Sequence, residues 1–133
     1  AVTSGPLSLA GAALITPRRF GDSRGWFCEH FSVRAMADAG LDAAFVQDNL
    51  SYSAAAGTLR GLHYQAPPAA QGKLVSVITG AVLDVLVDVR TGSPTFGEHV
   101  KVELSADNGQ QVWFRQDSRP VSYTQLTLPT ALS

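Results

Sequence analysis

Short valine-rich runs, each closed off by Gly, Pro or Asn, recur along most of this chain, and that punctuation restricts what it can become. Residues 73–79 and 82–89 are rich in valine and lie on either side of Gly80. β-Branched side chains pack well on a pleated surface and lose rotamer freedom in a helix. The two runs are therefore read as strands, with Gly80 turning a hairpin between them. Residues 98–104 alternate, with His99, Lys101 and Glu103 opposite Val100, Val102 and Leu104, the period of a half-buried strand. Shorter runs at 12–16 before Pro17, at 45–53, at 58–65 after Gly57 and at 111–114 read the same way. The good helix candidate is 32–39, with Ser32 as N-cap, Ala35-Met-Ala37 in the middle and Gly40 as the stop. Turns at Gly5-Pro6, Ala66-Pro-Pro68 and Thr91-Gly-Ser-Pro94 separate the runs. The expected class is all-β, an antiparallel sandwich or barrel with one short helix.

The chain has 133 residues, 45% of them hydrophobic, enough for one domain with a real core. A net charge of -1 supplies no global field for nucleic acid or an anionic membrane. An anionic ligand must be met by locally placed cations. The single cysteine, Cys28, excludes an internal disulfide and fits a reducing, cytoplasmic setting. No apolar run approaches membrane-spanning length, and the first 13 residues lack the basic start of a signal peptide.

Residues 57–65 and Lys73 concentrate the chemistry. Gly57-Thr-Leu-Arg-Gly-Leu-His-Tyr-Gln65 sets Arg60 and His63 on one strand, and Lys73 opens the next. An arginine that holds phosphate, a base that titrates near neutral pH and a lysine that holds an oxyanion suit carbanion formation on an anionic substrate. Strict alternation puts Arg60 and His63 on opposite faces, so a bulge is expected at Gly61. Asp84 and Asp88 share one face of 82–89, with Leu83, Val85 and Val87 on the other. Acids on a strand face are ordinarily solvated, but in a barrel that face lines the cavity. Gln47 and Asn49 share a face by their spacing of two. Arg24 follows Asp22 in a turn, the arrangement of a local surface ion pair. His30 and His99 read as surface or packing residues. Metal-binding barrels need clustered histidines and a carboxylate; with histidines only at 30, 63 and 99, no metal and no organic cofactor are expected.

Several ordered motifs carry a family resemblance. They are Phe20-Gly-Asp-Ser-Arg-Gly-Trp-Phe27 with Glu29 and Phe31, then Phe45-Val-Gln-Asp-Asn-Leu-Ser51, then the 57–65 motif. Pro67-Pro68, Gln71-Gly-Lys-Leu-Val75, residues 80–90 and Gly92-Ser-Pro-Thr-Phe-Gly97 follow, trailing into Val112-Trp113. Over roughly residues 10–114 the chain resembles the dTDP-4-dehydrorhamnose 3,5-epimerases. The resemblance implies a cupin-like jelly roll, a homodimer that exchanges N-terminal strands, and a dTDP-4-keto-6-deoxy sugar as substrate. It implies His63 as the base that removes a proton beside the sugar ketone and Lys73 as the group that stabilises the enolate. Arg60 would hold the diphosphate. Arg24, Glu29, Gln47 and Asn49 match substrate-binding positions, with Glu29 placed to accept from a pyrimidine N–H; Phe20, Trp26 and Phe27 either flank the base or make core or dimer contacts. Asp84 is a further candidate for this site. Two other readings are a 3-epimerase of a related nucleotide 4-keto sugar and a non-catalytic cupin-like module that binds one.

Two regions are expected: 1–114 as the jelly-roll part of such an epimerase, and 115–133 as a tail foreign to the family. The family's tyrosine proton donor and the carboxylate partner of its histidine have no counterpart here, and neither role passes to Tyr123. The chain is accordingly expected to be cut short, marginally stable and of little or no epimerase activity.

Overall fold

The computed structural model describes residues 2–9, 11–41, 45, 47–63, 72–89, 91–114 and 121–128, with the backbone alone at 2, 62–63 and 121–128. Among them are ten strands and one helix: β1 (Val2–Pro6), β2 (Ala12–Pro17), β3 (Arg19–Asp22), β4 (Gly25–Cys28), α1 (Val33–Asp38), β5 (Leu59–His63), β6 (Lys73–Ser76), β7 (Ala81–Asp88), β8 (His99–Ser105), β9 (Gln111–Phe114) and β10 (Val121–Leu128). They form a four-stranded sheet in the order β1-β2-β9-β6, a second in the order β5-β10-β7-β8, and the separate hairpin β3-β4. Every pairing is antiparallel. This is the expected all-β jelly roll.

The core joins the two large sheets. Ala12, Val112 and Phe114 from the first sheet cluster with Leu86, Val102 and Leu104 from the second. Alternation then decides what covers the outer face of the first sheet. Ala13, Ile15 and Trp113 point the other way and close on Met36 of α1, with Leu41, Phe45 and Leu74 at the margin. β9 is therefore buried on both faces. The helix forms where its caps require. The Ser32 hydroxyl accepts from the Ala35 N–H at 3.2 Å, and Gly40 takes a left-handed φ of 78° after the last turn. An N-cap of this type contributes about 1 kcal/mol, and the burial of Met36 seats the helix on the sheet. β8 keeps the alternation read from its sequence, with Val102 and Leu104 buried and His99, Lys101 and Glu103 exposed.

Two expectations are corrected. First, β6 and β7 do not form a hairpin about Gly80: β6 pairs with β9, and β7 pairs with β8 and β10. Residues 77–80 cross from one sheet to the other. Valines suit a core strand in either sheet, so composition does not separate a hairpin from a crossing. Second, the described residues of 45–53 are not strand. Gln47, Asp48, Asn49, Leu50, Ser51 and Tyr52 are all exposed, and the segment is tied to β5 by side-chain bonds from Arg60 rather than by a ladder. Residues 121–128, within the segment read as foreign to the family, form β10 between β5 and β7. Its Val, Tyr and Thr content suits an extended backbone. Residues 64–71, which include the end of the expected 58–65 strand, lie outside the described residues.

Candidate active site

β5 carries the first part of the site. In its ladder with β10, Arg60 stands opposite Gln125, Gly61 opposite Thr124 and His63 opposite Tyr123, with the register shifting between Tyr123 and Thr124. Leu62 is thus an extra residue on β5, a bulge at the expected place. Gly61 takes a φ of 125° there, a value that side-chain-bearing residues rarely adopt. The shift resets the alternation, so positions 60 and 63 return to the same side of the strand. The side chain of His63 lies outside the described residues.

The Arg60 guanidinium donates to the Ser53 hydroxyl through Nε at 3.1 Å and to the Tyr52 carbonyl through Nη2 at 3.1 Å. It remains exposed. Just upstream, the Gln47 amide donates to Asn49 Oδ1 at 3.2 Å, although the strand face expected to hold the pair does not form. The structure therefore brings Gln47 and Asn49 together in the 47–53 segment, which Arg60 binds directly. Lys73 begins β6, half-buried, opposite Phe114 in register.

Asp84 and Asp88 do share a face of β7, but Leu86 shares it with them and all three are fully buried. The solvated reading is thereby overturned: this face looks into the molecule. The two acids have different settings. Asp88 accepts from the hydroxyls of Ser93 and Thr95, which ties down the 93–98 loop. Asp84 stands between Val102 of β8 and Gln125 of β10 in register. An interior carboxylate costs several kcal/mol unless it is compensated.

Arg24, Phe27 and Glu29 belong to a different part of the molecule. Arg24 sits at the tip of the β3-β4 hairpin, paired with Asp22 at 2.6 Å, the two side chains 88% and 53% exposed. This is the local ion pair read from the sequence. The side-chain and backbone bonds from Arg24 hold the Asp22 carboxyl below its ordinary range, and the same side-chain bond raises the guanidinium. Phe20, Trp26 and Phe27 are 50%, 56% and 74% exposed on the same hairpin. Glu29 lies beyond β4, at an open depression of ≈700 Å³ that it shares with Ser4, Ser32 and Arg34. Among the described residues, no hydrogen bond or ion pair joins Arg24 to Arg60, Gln47 or Asn49.

Sequence reasoning passed over two contacts. Arg19 docks on the turn between β8 and β9, and His30 binds buried Gln111. The faint sequence signal was a glutamine opening the otherwise apolar strand at 111–114.

A family model described as dTDP-4-dehydrorhamnose 3,5-epimerase matches residues 6–118. The chain belongs to the dTDP-4-dehydrorhamnose 3,5-epimerase family. A relative of that name from Sinorhizobium fredii is 54% identical over 107 residues, covering 80% of this chain and 55% of its own length. The chain thus spans about half the length of the curated epimerases it matches. Among solved structures, the epimerase of Bacillus anthracis with TDP and PPi bound aligns with a TM-score of 0.91 at 42% identity, covering 98% of this chain and 73% of that one. A 3'-monoepimerase from Streptomyces bikiniensis in complex with dTDP-quinovose aligns with a TM-score of 0.84 at 36% identity, covering 94% of this chain and 62% of that one. The epimerase family match extends past 114 to 118 and leaves β10 outside it.

Proposed function

We propose that the protein acts on a dTDP-4-keto-6-deoxy sugar and belongs to the conversion of dTDP-4-dehydro-6-deoxy-D-glucose to dTDP-4-dehydro-L-rhamnose. The 4-ketone acidifies the protons on C3 and C5. His63, as a neutral imidazole, removes one of them. Electron density moves onto the ketone oxygen, where the Lys73 ammonium holds the enolate. Arg60 grips the diphosphate by charge-assisted bonds; Gln47 and Asn49 orient the sugar and nucleotide, and Arg24, Phe27 and Glu29, set apart from these within one protomer, supply nucleotide contacts across the inferred homodimer. Asp84 supplies an interior carboxylate to the same site. The chemistry needs no metal or organic cofactor, because ketone and lysine together delocalise the charge.

The observation that carries the reading is the bulge at Gly61. It gives a strand with phosphate-binding and proton-abstracting residues three apart a backbone that returns both positions to one side. Epimerisation further needs a proton delivered from the opposite face. The family stretch offers no tyrosine for that step, and Tyr123 lies in a segment inferred to be foreign to the family, so the role is not assigned to it. A homodimer is also inferred, supported by the exposed Phe20, Trp26 and Phe27 on one hairpin, and the setting is inferred to be cytoplasmic.

Incubation with the 4-keto sugar in deuterated water tests the proposal by NMR. Abstraction and return by His63 alone place deuterium on carbon without inversion. Exchange at both C3 and C5 supports the 3,5-epimerase reading. Exchange at C3 alone favours the monoepimerase reading, for which the Streptomyces bikiniensis likeness speaks. Binding of dTDP without exchange reduces the protein to a nucleotide-sugar-binding module, and neither binding nor exchange overturns the proposal.

A further inference from the structure

A two-stranded hairpin is at best marginally stable by itself, so whatever anchors β3-β4 also aims it. Both anchors lie at its base. Arg19 opens β3 opposite Cys28, the last residue of β4. Its guanidinium donates through Nη2 to the Ala106 carbonyl at 2.6 Å and through Nη1 to the Asp107 carbonyl at 2.7 Å. The same group lies 3.9 Å over the ring of Trp26, across the hairpin. Its seat is rigid: Asn108 accepts from the Ser105 and Gln110 amides and donates to the Glu103 carbonyl. Gly109 leaves the necessary space. A Cβ there would stand 2.6 Å from Arg19 Nη2 and 2.8 Å from Cζ, and its φ of +61° already favours glycine.

The second anchor follows β4. Gln111, 1% exposed on β9, donates its amide to the His30 carbonyl at 3.0 Å and lies 3.2 Å from His30 Nδ1. His30 Nε2 in turn lies 3.1 Å from the Ser76 hydroxyl on β6. The buried Gln111 amide finds its partner in the segment after β4, which ties that segment to β9. The hairpin is thus held at both ends of its base while its tip, with Arg24, stands in solvent.

We propose that Arg19 and Gln111 are positioning residues that clamp the β3-β4 hairpin to the β8-β9 turn and to β9, so that Arg24 and Phe27 are aimed before the nucleotide sugar arrives. This rests on the nucleotide-sugar reading for its ligand, but the clamp has a readout of its own. Arg19→Met keeps the stem and removes the guanidinium; Gly109→Ala expels it from the seat. Hydrogen exchange of amides 19–28 is compared with that of β7 and β8, and dTDP affinity is measured by calorimetry on the same 133-residue proteins. Each variant is expected to speed hairpin exchange at least about tenfold with β7 and β8 unchanged, and to weaken dTDP about tenfold through lost preorganisation. The double variant should be no worse than either single one, because both remove the same contact. Arg19→Lys, which retains a donor for one carbonyl, should recover part of the affinity. Unchanged hairpin exchange, exchange raised equally everywhere, or a loosened hairpin with unaltered dTDP affinity would each overturn the proposal. Should the unmodified protein fail to bind dTDP, the nucleotide-sugar reading falls, and the clamp is judged by exchange alone.

Discussion

Replacing Gly61 with valine separates the bulge from everything else in the site. At a φ of 125° a side chain costs about 1–3 kcal/mol, and a β-branched residue falls toward the upper end. Valine also favours the regular extended conformation. Restoring regular pairing would move Leu62 back into the ladder and carry positions 60 and 63 to opposite faces. The bulge is therefore expected to be either strained or lost, with a stability cost of about 2 kcal/mol in both cases. For a domain of this size that corresponds to a fall in Tm of roughly 8 °C, measurable by circular dichroism alongside a urea midpoint. The functional effect is larger. Misplacing the base removes its contribution of about 10²–10⁴ to proton abstraction, so deuterium entry at C3 and C5 should drop at least about a hundredfold, relative to exchange in the unmodified protein. An exchange rate within twofold of the original, in a valine variant that still melts cooperatively, would refute the role given to the bulge.

In a full-length version, His63→Ala should abolish deuterium exchange while changing dTDP affinity less than about threefold, since binding energy comes mainly from nucleotide and phosphate contacts; exchange persisting at the original rate would exclude His63 as the base. Arg60→Ala should instead weaken dTDP by about tenfold or more in calorimetry, and an unaltered affinity would remove Arg60 from the diphosphate. Asp88→Ala deprives Ser93 and Thr95 of their buried acceptor and should cost about 3 kcal/mol, read as a lower urea midpoint; no shift would show that the loop holds itself. Arg24 holds the Asp22 carboxyl below its ordinary range, so the pair favours the folded hairpin above the unfolded carboxylate pKa and that contribution fades as pH falls through the lower folded value. In Arg24→Ala, carboxyl titration followed by NMR should find Asp22 moved up to the ordinary carboxylate range, and an unmoved titration would refute the ion pair in solution.

Local rules were sufficient wherever a residue's neighbours in sequence are also its partners in space. The helix follows from Ser32, Met36 and Gly40, because capping and a left-handed stop act within one turn. The alternation of β8 was legible because one of its faces meets water. Even the bulge could be read, since Arg60 and His63 stand three apart around a glycine and an extra residue is what brings such positions to one side. Partners distant in sequence were another matter. Nothing in the valines of β6 and β7 says that they enter opposite sheets, because a core strand in either sheet wants the same side chains. Asp84 and Asp88 look like solvated acids until the second sheet closes over their face. Arg19 and Gln111 acquire their partners only when turn 106–109 and the segment after β4 are brought to them across more than eighty residues. Sequence determined the helix, the alternation of β8 and the bulge on β5; only the packing of one sheet on the other decided how β6 and β7 pair, which charges are interior and how the hairpin bearing Arg24 is held.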